Sequence, residues 1–301
     1  MIYTLTLNPS IDYVAKLDQL RLGEVNRMQY EQFFPGGKGI NVSRMLTNLG
    51  QKNIALGFIG GFTGKYIEQS LQNLGVETDF IYLEQGISRI NMKLKSEFET
   101  EINAPGPKIT DRDFLKLMKK IDNIDDCSFL VLSGSLPACM DFDVYAKIMV
   151  RLKEKNIRFV VDATGDALLK TLSLQPFLIK PNKHELEGLF ACEINSEDEI
   201  IRYARELQKK GAKNVLVSLG GDGAILIAAG EKIFKGDAIK GEVKNSVGAG
   251  DSMIAGFLAG YLDNSSSLEN GLHTGLVCGG LTAFSEDIAS ITTINEYFNQ
   301  Q

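Results

Sequence analysis

Hydrophobic and polar positions along this chain switch repeatedly between a period of two and a period near 3.6. Residues 2–7 alternate as a strand and stop at Asn8-Pro9-Ser10. Two further extended stretches, 12–17 and 25–33, end at Pro35-Gly36-Gly37-Lys38-Gly39. A helix is predicted over 40–49, with Gly50 as its stop. The apolar run 54–59 reads as a buried strand, and Gly60-Gly61 turns it into a helix over 63–74. A strand over 80–83 comes next. Residues 89–95 alternate cleanly: Ile90, Met92 and Leu94 face one way, Arg89, Asn91, Lys93 and Lys95 the other. A turn at Ser96-Glu97 and a strand over 98–102 complete a hairpin with one apolar and one polar face.

From residue 106 helix and strand alternate. Thr110 caps a helix carrying Phe114, Leu117, Met118 and Ile121 at i, i+3, i+4 and i+7. Strands are predicted over 129–132, 158–161, 177–179, 215–219 and 224–228. Helices are predicted over 141–154, after the Ser196/Glu199 capping box up to Gly211, over 251–262, and from 268. Such alternation implies an α/β fold whose central sheet is mostly parallel and covered by helices on both faces. The polar-faced strands do not fit a sheet buried on both sides and read as a small β-sheet lid at its edge. The expected division is a core of residues 1–11, 36–85 and 106–301 and a lid of residues 12–35 and 86–105.

At 301 residues, 44% of them apolar, the chain can bury a sizeable core, and its composition is not that of a disordered segment. The net charge of −6 argues against nucleic-acid binding. Cys127, Cys139, Cys192 and Cys278 show neither a CxxC pair nor zinc spacing and read as reduced thiols. The first residues lack the pattern of a signal peptide, and no apolar run is long enough to span a bilayer, so a cytoplasmic location without membrane partners is expected.

Candidate chemistry gathers at glycine-rich turns that enter helices. In Asn245-Ser246-Val247-Gly248-Ala249-Gly250-Asp251-Ser252 the glycines allow a tight turn at a helix start, where free amides and the helix dipole favour an anion. Asp251 in the first turn could take a proton from a hydroxyl there, and the same pattern is also ordinary capping. Gly36-Gly37-Lys38-Gly39-Ile40-Asn41 is a second such turn, with Lys38 as a cation and Asn41 on the same face. It is not a Walker loop, and no GxGxxG follows a strand. Asn182 and Glu185 at i, i+3 form either a water-mediated Mg²⁺ site or a capping box. Ser218 to Gly223, with Gly220, lies at a strand's C-terminal end, where ligands collect in open α/β sheets, and also reads as a hairpin turn. Asp12, Arg89 and Asn91 sit on the lid strands; Lys38 and Arg89 together would suit a phosphate, and each is also an ordinary solvated charge.

Taken together, these segments resemble the PfkB (ribokinase-like) carbohydrate kinases over essentially the whole chain. Gly36 to Val42 matches the N-terminal signature of that family and Asn245 to Phe257 the C-terminal one. Thr6 to Asp12, Asn26-Arg27, Gly57 to Gly61, Arg89-Ile90-Asn91 and Ser133 to Pro137 look like its hexose-phosphate kinase branch.

The resemblance implies a ribokinase-like fold and an ATP-dependent kinase acting on a ketohexose phosphate. Fructose 1-phosphate is the expected substrate, with tagatose 6-phosphate and fructose 6-phosphate as competitors. It makes Asp251 the general base, and Gly248, Ala249 and Gly250 the anion hole. It assigns Asn182 and Glu185 to Mg²⁺ and the ATP phosphates, and Ser218, Gly220 and Gly223 to the nucleotide. Asp12, Gly37, Asn41 and Asn91 would bind the sugar, and Lys38 and Arg89 its phosphate. Arg27, from the same or a neighbouring subunit, and Ser135 join them, and the lid would form a homodimer. Many relatives carry Asp where this chain has Asn245, and that Asp helps hold a monovalent cation, so potassium activation is left open. A reading of another class is a non-catalytic module that binds nucleotide or sugar phosphate on the same fold.

Overall fold

The computed structural model describes residues 1–263 and 266–300. The chain opens with β1 (Ile2–Thr6), β2 (Ser10–Lys16) and β3 (Tyr30–Gly36), then α1 (Lys38–Asn48), β4 (Asn53–Gly60) and α2 (Gly61–Asn73). Next come β5 (Glu77–Thr78), β6 (Ile81–Leu83), β7 (Arg89–Lys95) and β8 (Thr100–Asn103). The alternating half holds α3 (Asp111–Ile121), β9 (Phe129–Ser133), α4 (Val144–Arg151), β10 (Arg158–Asp162), α5 (Gly165–Leu169) and β11 (Leu178–Ile179). It continues with α6 (Lys183–Phe190), α7 (Glu197–Lys209), β12 (Val215–Ser218), β13 (Ala224–Ile227) and β14 (Ile233–Gly236). Helices α8 (Ala249–Asp263), α9 (Leu268–Ala283) and α10 (Ile291–Asn299) close the chain.

Among the described residues, ten strands form one sheet in the order β14-β13-β12-β11-β10-β9-β1-β4-β5, with β6 also beside β4. It is parallel from β12 to β5, and β13 and β14 extend it antiparallel. The run Phe129-Leu130-Val131-Leu132 shows why parallel strands read as continuous hydrophobic stretches. Phe129 and Val131 face a layer with Val42, Met45, Ile254 and Phe257; Leu130 and Leu132 face the opposite layer with Leu117, Ile121 and Tyr145.

A second, four-stranded sheet has the order β3-β2-β7-β8. Its polar face is the covered one: Asn91 and Lys93 are 7% exposed, whereas Met92 on the other face is 37% exposed. The expected strand over 25–33 shifts to β3, because its partner β2 ends at Lys16, opposite Tyr30; before that point the Gln29 N–H still donates to the Lys16 carbonyl at 2.9 Å, and among the described residues the ladder goes no further. The expected strand over 98–102 likewise shifts to β8, where Thr100 to Asn103 pair with β7. The helix expected over 141–154 narrows to α4. Short elements such as β5, β14 and α5 span too few residues to show a period. Among the described residues no helix is long and apolar enough to cross a membrane.

Helix α8 is buried from Asp251 to Tyr261, wedged between the sheet and α9. Glycines let the two helix backbones touch. A Cβ on Gly256 would fall 2.6 Å from the Thr274 carbonyl oxygen, and one on Gly275 2.8 Å from that of Met253. With α8 held by the sheet, a methyl at this seam must push α9 outward. Gly275→Ala is therefore expected to destabilise the fold by about 1–3 kcal/mol, as overpacking does. A melting temperature equal to that of the parent in calorimetry would show that α9 can yield at no cost.

Candidate active site

The turns after the parallel strands lie along one edge of the large sheet, where ligands gather in such folds. A cleft of about 810 Å³ runs along this edge. Ser218 ends β12, Asn182 follows β11, Asp162 ends β10, Ser135 follows β9 and Asn8 follows β1; all five line it. The inner face of the second sheet covers one end with Asp12, Arg89 and Asn91. The other end is apolar, lined by Ile239, Val243, Leu276 and Phe284.

The N-terminus of α8 opens into this cleft. Gly248 has φ 80°, a conformation that side chains other than glycine adopt only with strain. The turn before it is tied down by Asn245, whose Oδ1 accepts from the Val247 N–H at 3.1 Å and whose Nδ2 donates to the Glu286 carbonyl at 2.9 Å. Gly248, Ala249 and Gly250 line the cleft at this helix start, where the first amides have no partner within the helix; the Ala249 N–H donates to the Ser246 carbonyl in the turn before it, at a long 3.3 Å. Asp251, 6% exposed, sits in the same first turn and accepts from Asn41 Nδ2 at 2.9 Å. Burial raises its pKa to about 6, with the nearby Asp162 carboxylate adding to the shift; Lys38, Asn41 and Lys180 pull the other way. A carboxylate with a pKa near neutrality is suited to take a proton from an alcohol.

Lys38 begins α1, directly after Gly37. Its Nζ lies 3.2 Å from Asp162 Oδ2 and 4.0 Å from Glu185 Oε1. Burial works to lower the Lys38 pKa, but Asp162, Asp251 and Glu185 outweigh it and hold the ammonium charged. Asp162 is 2% exposed and meets a second ammonium, Lys180 Nζ, at 3.6 Å. Burial opposes charge on Asp162 too, yet Lys180 and Lys38 keep its carboxyl below the usual range. Lys180 Nζ also lies 3.0 Å from the point where a Cβ on Gly250 would stand, against the first turn of α8. Two cations thus meet near the N-terminal end of α8 across a shared carboxylate.

Neither Asp162 nor Lys180 was singled out from the sequence. The available signals were the strand-terminal position of Asp162 and the Lys180-Pro181-Asn182 stop after a short apolar run.

Gly37, Lys38, Asn41, Gly248, Ala249, Gly250 and Asp251 meet at the cleft's middle. Asn182 and Glu185 form a full capping box: Asn182 Oδ1 accepts from the Glu185 N–H at 2.7 Å, and Glu185 Oε2 from the Asn182 N–H at 2.8 Å. Both still line the cleft, so the capping reading holds and leaves Glu185 Oε1 facing Lys38. Ser218 and Gly220 line it, joined by Gly221. Gly223 does not; it makes the hairpin turn, at φ 89°, where a Cβ would collide with the Gly236 carbonyl.

Arg89 donates from Nε to the Asn8 carbonyl at 3.1 Å and reaches Ser135 Oγ at 3.4 Å, while Lys38 is engaged with Asp162. Burial lowers the Arg89 pKa and Asp12 partly restores it. Arg27 is exposed in the loop before β3 and lines no part of the cleft.

Residues 5–293 match the pfkB family carbohydrate kinases. The chain is 44% identical over 290 residues to 1-phosphofructokinase of Bacillus subtilis, covering 96% of this chain and 95% of that protein. It is 40% identical over 301 residues to D-tagatose-1-phosphate kinase of Bacillus licheniformis, covering 100% and 98%. The structure of phosphofructokinase-2 from Escherichia coli in complex with substrates and products superimposes with TM-score 0.92 at 29% identity, covering 99% and 98%. The architecture is ribokinase-like. A matched family spanning nearly the whole chain, and a relative 44% identical over nearly the full length of both, lead to one conclusion: the chain belongs to the PfkB family of carbohydrate kinases.

Proposed function

We propose that this chain is an ATP-dependent kinase of ketohexose phosphates that converts fructose 1-phosphate to fructose 1,6-bisphosphate. The observation that carries the reading is Asp251, a buried carboxyl with its pKa raised to about 6, in the first turn of the helix whose N-terminal end faces the same cleft. The sugar hydroxyl gives its proton to Asp251 as its oxygen attacks the terminal phosphorus of ATP, and the bond to the ADP oxygen breaks. The amides of Gly248, Ala249 and Gly250 hold the transferring phosphoryl oxygens. The polar end takes the sugar phosphate, with Asp12, Asn91, Gly37 and Asn41 on the sugar and its hydroxyls and Lys38 and Arg89 on its phosphate. The apolar end takes the base of the nucleotide beside Ser218 and Gly220. A non-catalytic binding module would have no use for a base poised near neutrality at this helix end.

The donor set suits a magnesium ion that travels with ATP. Among the described residues no group of three or more His, Cys, Asp or Glu could cage a metal. Mg²⁺ keeps much of its water and needs only one or two carboxylates when phosphates supply the rest. Glu185 would hold it through water, with Asn182 fixing that side chain; the ion would neutralise phosphate charge. Asn245 commits both side-chain ends to backbone groups, Oδ1 to the Val247 N–H in its own turn and Nδ2 to the Glu286 carbonyl after α9.

In this reading residues 12–35 and 86–105 act as a lid over the core of residues 1–11, 36–85 and 106–301, and the protein works in the cytoplasm. The lid's outer face carries a row across four strands, Phe33, Tyr13, Met92 and Ile102, with the Phe33 and Tyr13 rings stacked at 4.6 Å. Three of the four are exposed, Ile102 by 56%. Such a row fits a second copy of the chain and supports a homodimer, which would also bring Arg27 near a neighbouring cleft. Met92→Asp is expected to sediment as a monomer; an unchanged mass would remove the row from the interface.

The 40%-identical D-tagatose-1-phosphate kinase favours a second reading in which tagatose 1-phosphate is the preferred sugar. Comparing kcat/KM for fructose 1-phosphate, tagatose 1-phosphate, fructose 6-phosphate and tagatose 6-phosphate decides between them. Fructose 1-phosphate should lead; a lead by either 6-phosphate would overturn the assignment.

Asp251→Asn should lose about 10²–10⁴-fold in kcat, the usual worth of a general base. In the parent, kcat/KM should fall as pH drops through about 6, where Asp251 gains its proton, and be level above it. The raised pKa means that the folded state binds a proton that the unfolded chain has released between about 4 and 6, so stability declines as pH rises through that window. The variant should therefore melt higher than the parent at pH 8 while remaining inactive. Retained turnover, or an acid limb that persists in an active variant, would remove the base assignment.

A further inference from the structure

The carboxylate of Asp12 is held more tightly than a sugar ligand on an edge sheet needs to be. It lies on β2 with its side chain 13% exposed. Its Oδ1 accepts from Ser10 Oγ at 2.8 Å and from Asn91 Nδ2 at 3.2 Å. Its Oδ2 lies 3.2 Å from Lys93 Nζ, and the Lys93 side chain is 9% exposed. On the other side stands Gly36, in the β3 strand paired with β2. A Cβ there would fall 2.5 Å from Asp12 Cγ and within 2.7 Å of both oxygens. Gly36 shows no positive φ, so space and not backbone conformation reserves the position for glycine.

Lys93 does not line the large cleft. It sits behind Asp12 in a small chamber of about 20 Å³, with Val14, Phe34, Arg44, Lys95 and Asp287. The charged groups around Asp12 are Arg89, Lys93 and Lys95 on β7, Arg44 on α1, and Asp287 in the segment before α10. Arg44 is taken by Asp287, to which its Nη1 donates at 3.1 Å. Lys93 is the cation in ion-pair range of Asp12. A carboxylate has about four acceptor positions. Ser10, Asn91 and Lys93 fill three, which leaves one on Oδ2.

We propose that Lys93 is a positioning residue: together with Gly36 it locks the Asp12 carboxylate in one rotamer and leaves a single acceptor position for one sugar hydroxyl. The inference rests on the reading that Asp12 binds the sugar. A buried ion pair is a weak stabiliser, because desolvating both charges offsets most of their attraction. Holding a ligand group in place accounts better for a lysine buried behind the site.

Lys93→Met, Asp12→Asn, their double variant and Gly36→Ala are measured for KM of fructose 1-phosphate, KM of ATP, kcat and melting temperature. Lys93→Met should raise the sugar KM about tenfold, the worth of one misplaced hydrogen bond, with kcat and the ATP KM within about twofold. In the Asp12→Asn background the same change should add nothing further to the sugar KM. Gly36→Ala, which displaces the carboxylate with Lys93 intact, should reproduce the Lys93→Met pattern, and it carries the test alone if Lys93→Met does not fold. A raised sugar KM in Asp12→Asn, but not in Lys93→Met or Gly36→Ala, would overturn the positioning role. No change of sugar KM in Asp12→Asn would instead overturn the placement of Asp12 on the sugar.

Discussion

The carboxylate of Asp162 stands between the ammonium groups of Lys38 and Lys180 at the centre of the cleft. Removing an unpaired charge from water is costly, and even a good buried pair returns little net stability. Oδ2 of Asp162 lacks a well-aligned hydrogen bond despite its 3.2 Å approach to Lys38. The cluster is therefore poor as a staple. It works as a holder of two cations: Asp162 balances them within the cleft and keeps them beside the first turn of α8. An anionic group entering the cleft would meet that charge already in place, without waiting for flexible side chains to gather it.

The position of this cluster depends on packing some distance away. Asp162 is fixed because β10 is hydrogen-bonded on both sides, to β9 and to β11. Lys38 is fixed because α1 packs against the same sheet through Val42, Met45 and Leu46. Asp251 is fixed because α8 is buried almost from end to end and cannot slide along α9 without driving glycine positions into backbone. Those glycines act on the site indirectly: they set how close α8 lies, and so where its first turn and its acid stand. Burial then raises the pKa of that acid, so one act of packing places the group and tunes it.

The second sheet inverts the usual rule of apolar inside and polar outside. Its covered face carries Ser10, Asp12, Arg89, Asn91 and Lys93, and its open face carries the aromatic and aliphatic row. A sheet that covers a polar ligand must be polar underneath. The apolar row is then left on the outside.

The sequence by itself determined the α/β class, the alternation of strands and helices, and the glycine-rich turns entering α1 and α8, because backbone periodicity and turn chemistry are local. It marked Asp251, Lys38, Asn41, Asn182 and Glu185, since each sits at a recognisable helix start. It blurred the ends of β3, β8 and α4, where partners distant in the chain decide how far pairing extends. Only the tertiary structure decided that Asp162 and Lys180 join Lys38, that Gly223 serves the hairpin and not the cleft, and that Lys93 lies buried behind Asp12. An alternating strand shows which side chains share a face, but not which face is covered. The reason is that burial and ion pairing are properties of neighbours brought together by folding, and those neighbours lie tens to hundreds of residues apart in the chain.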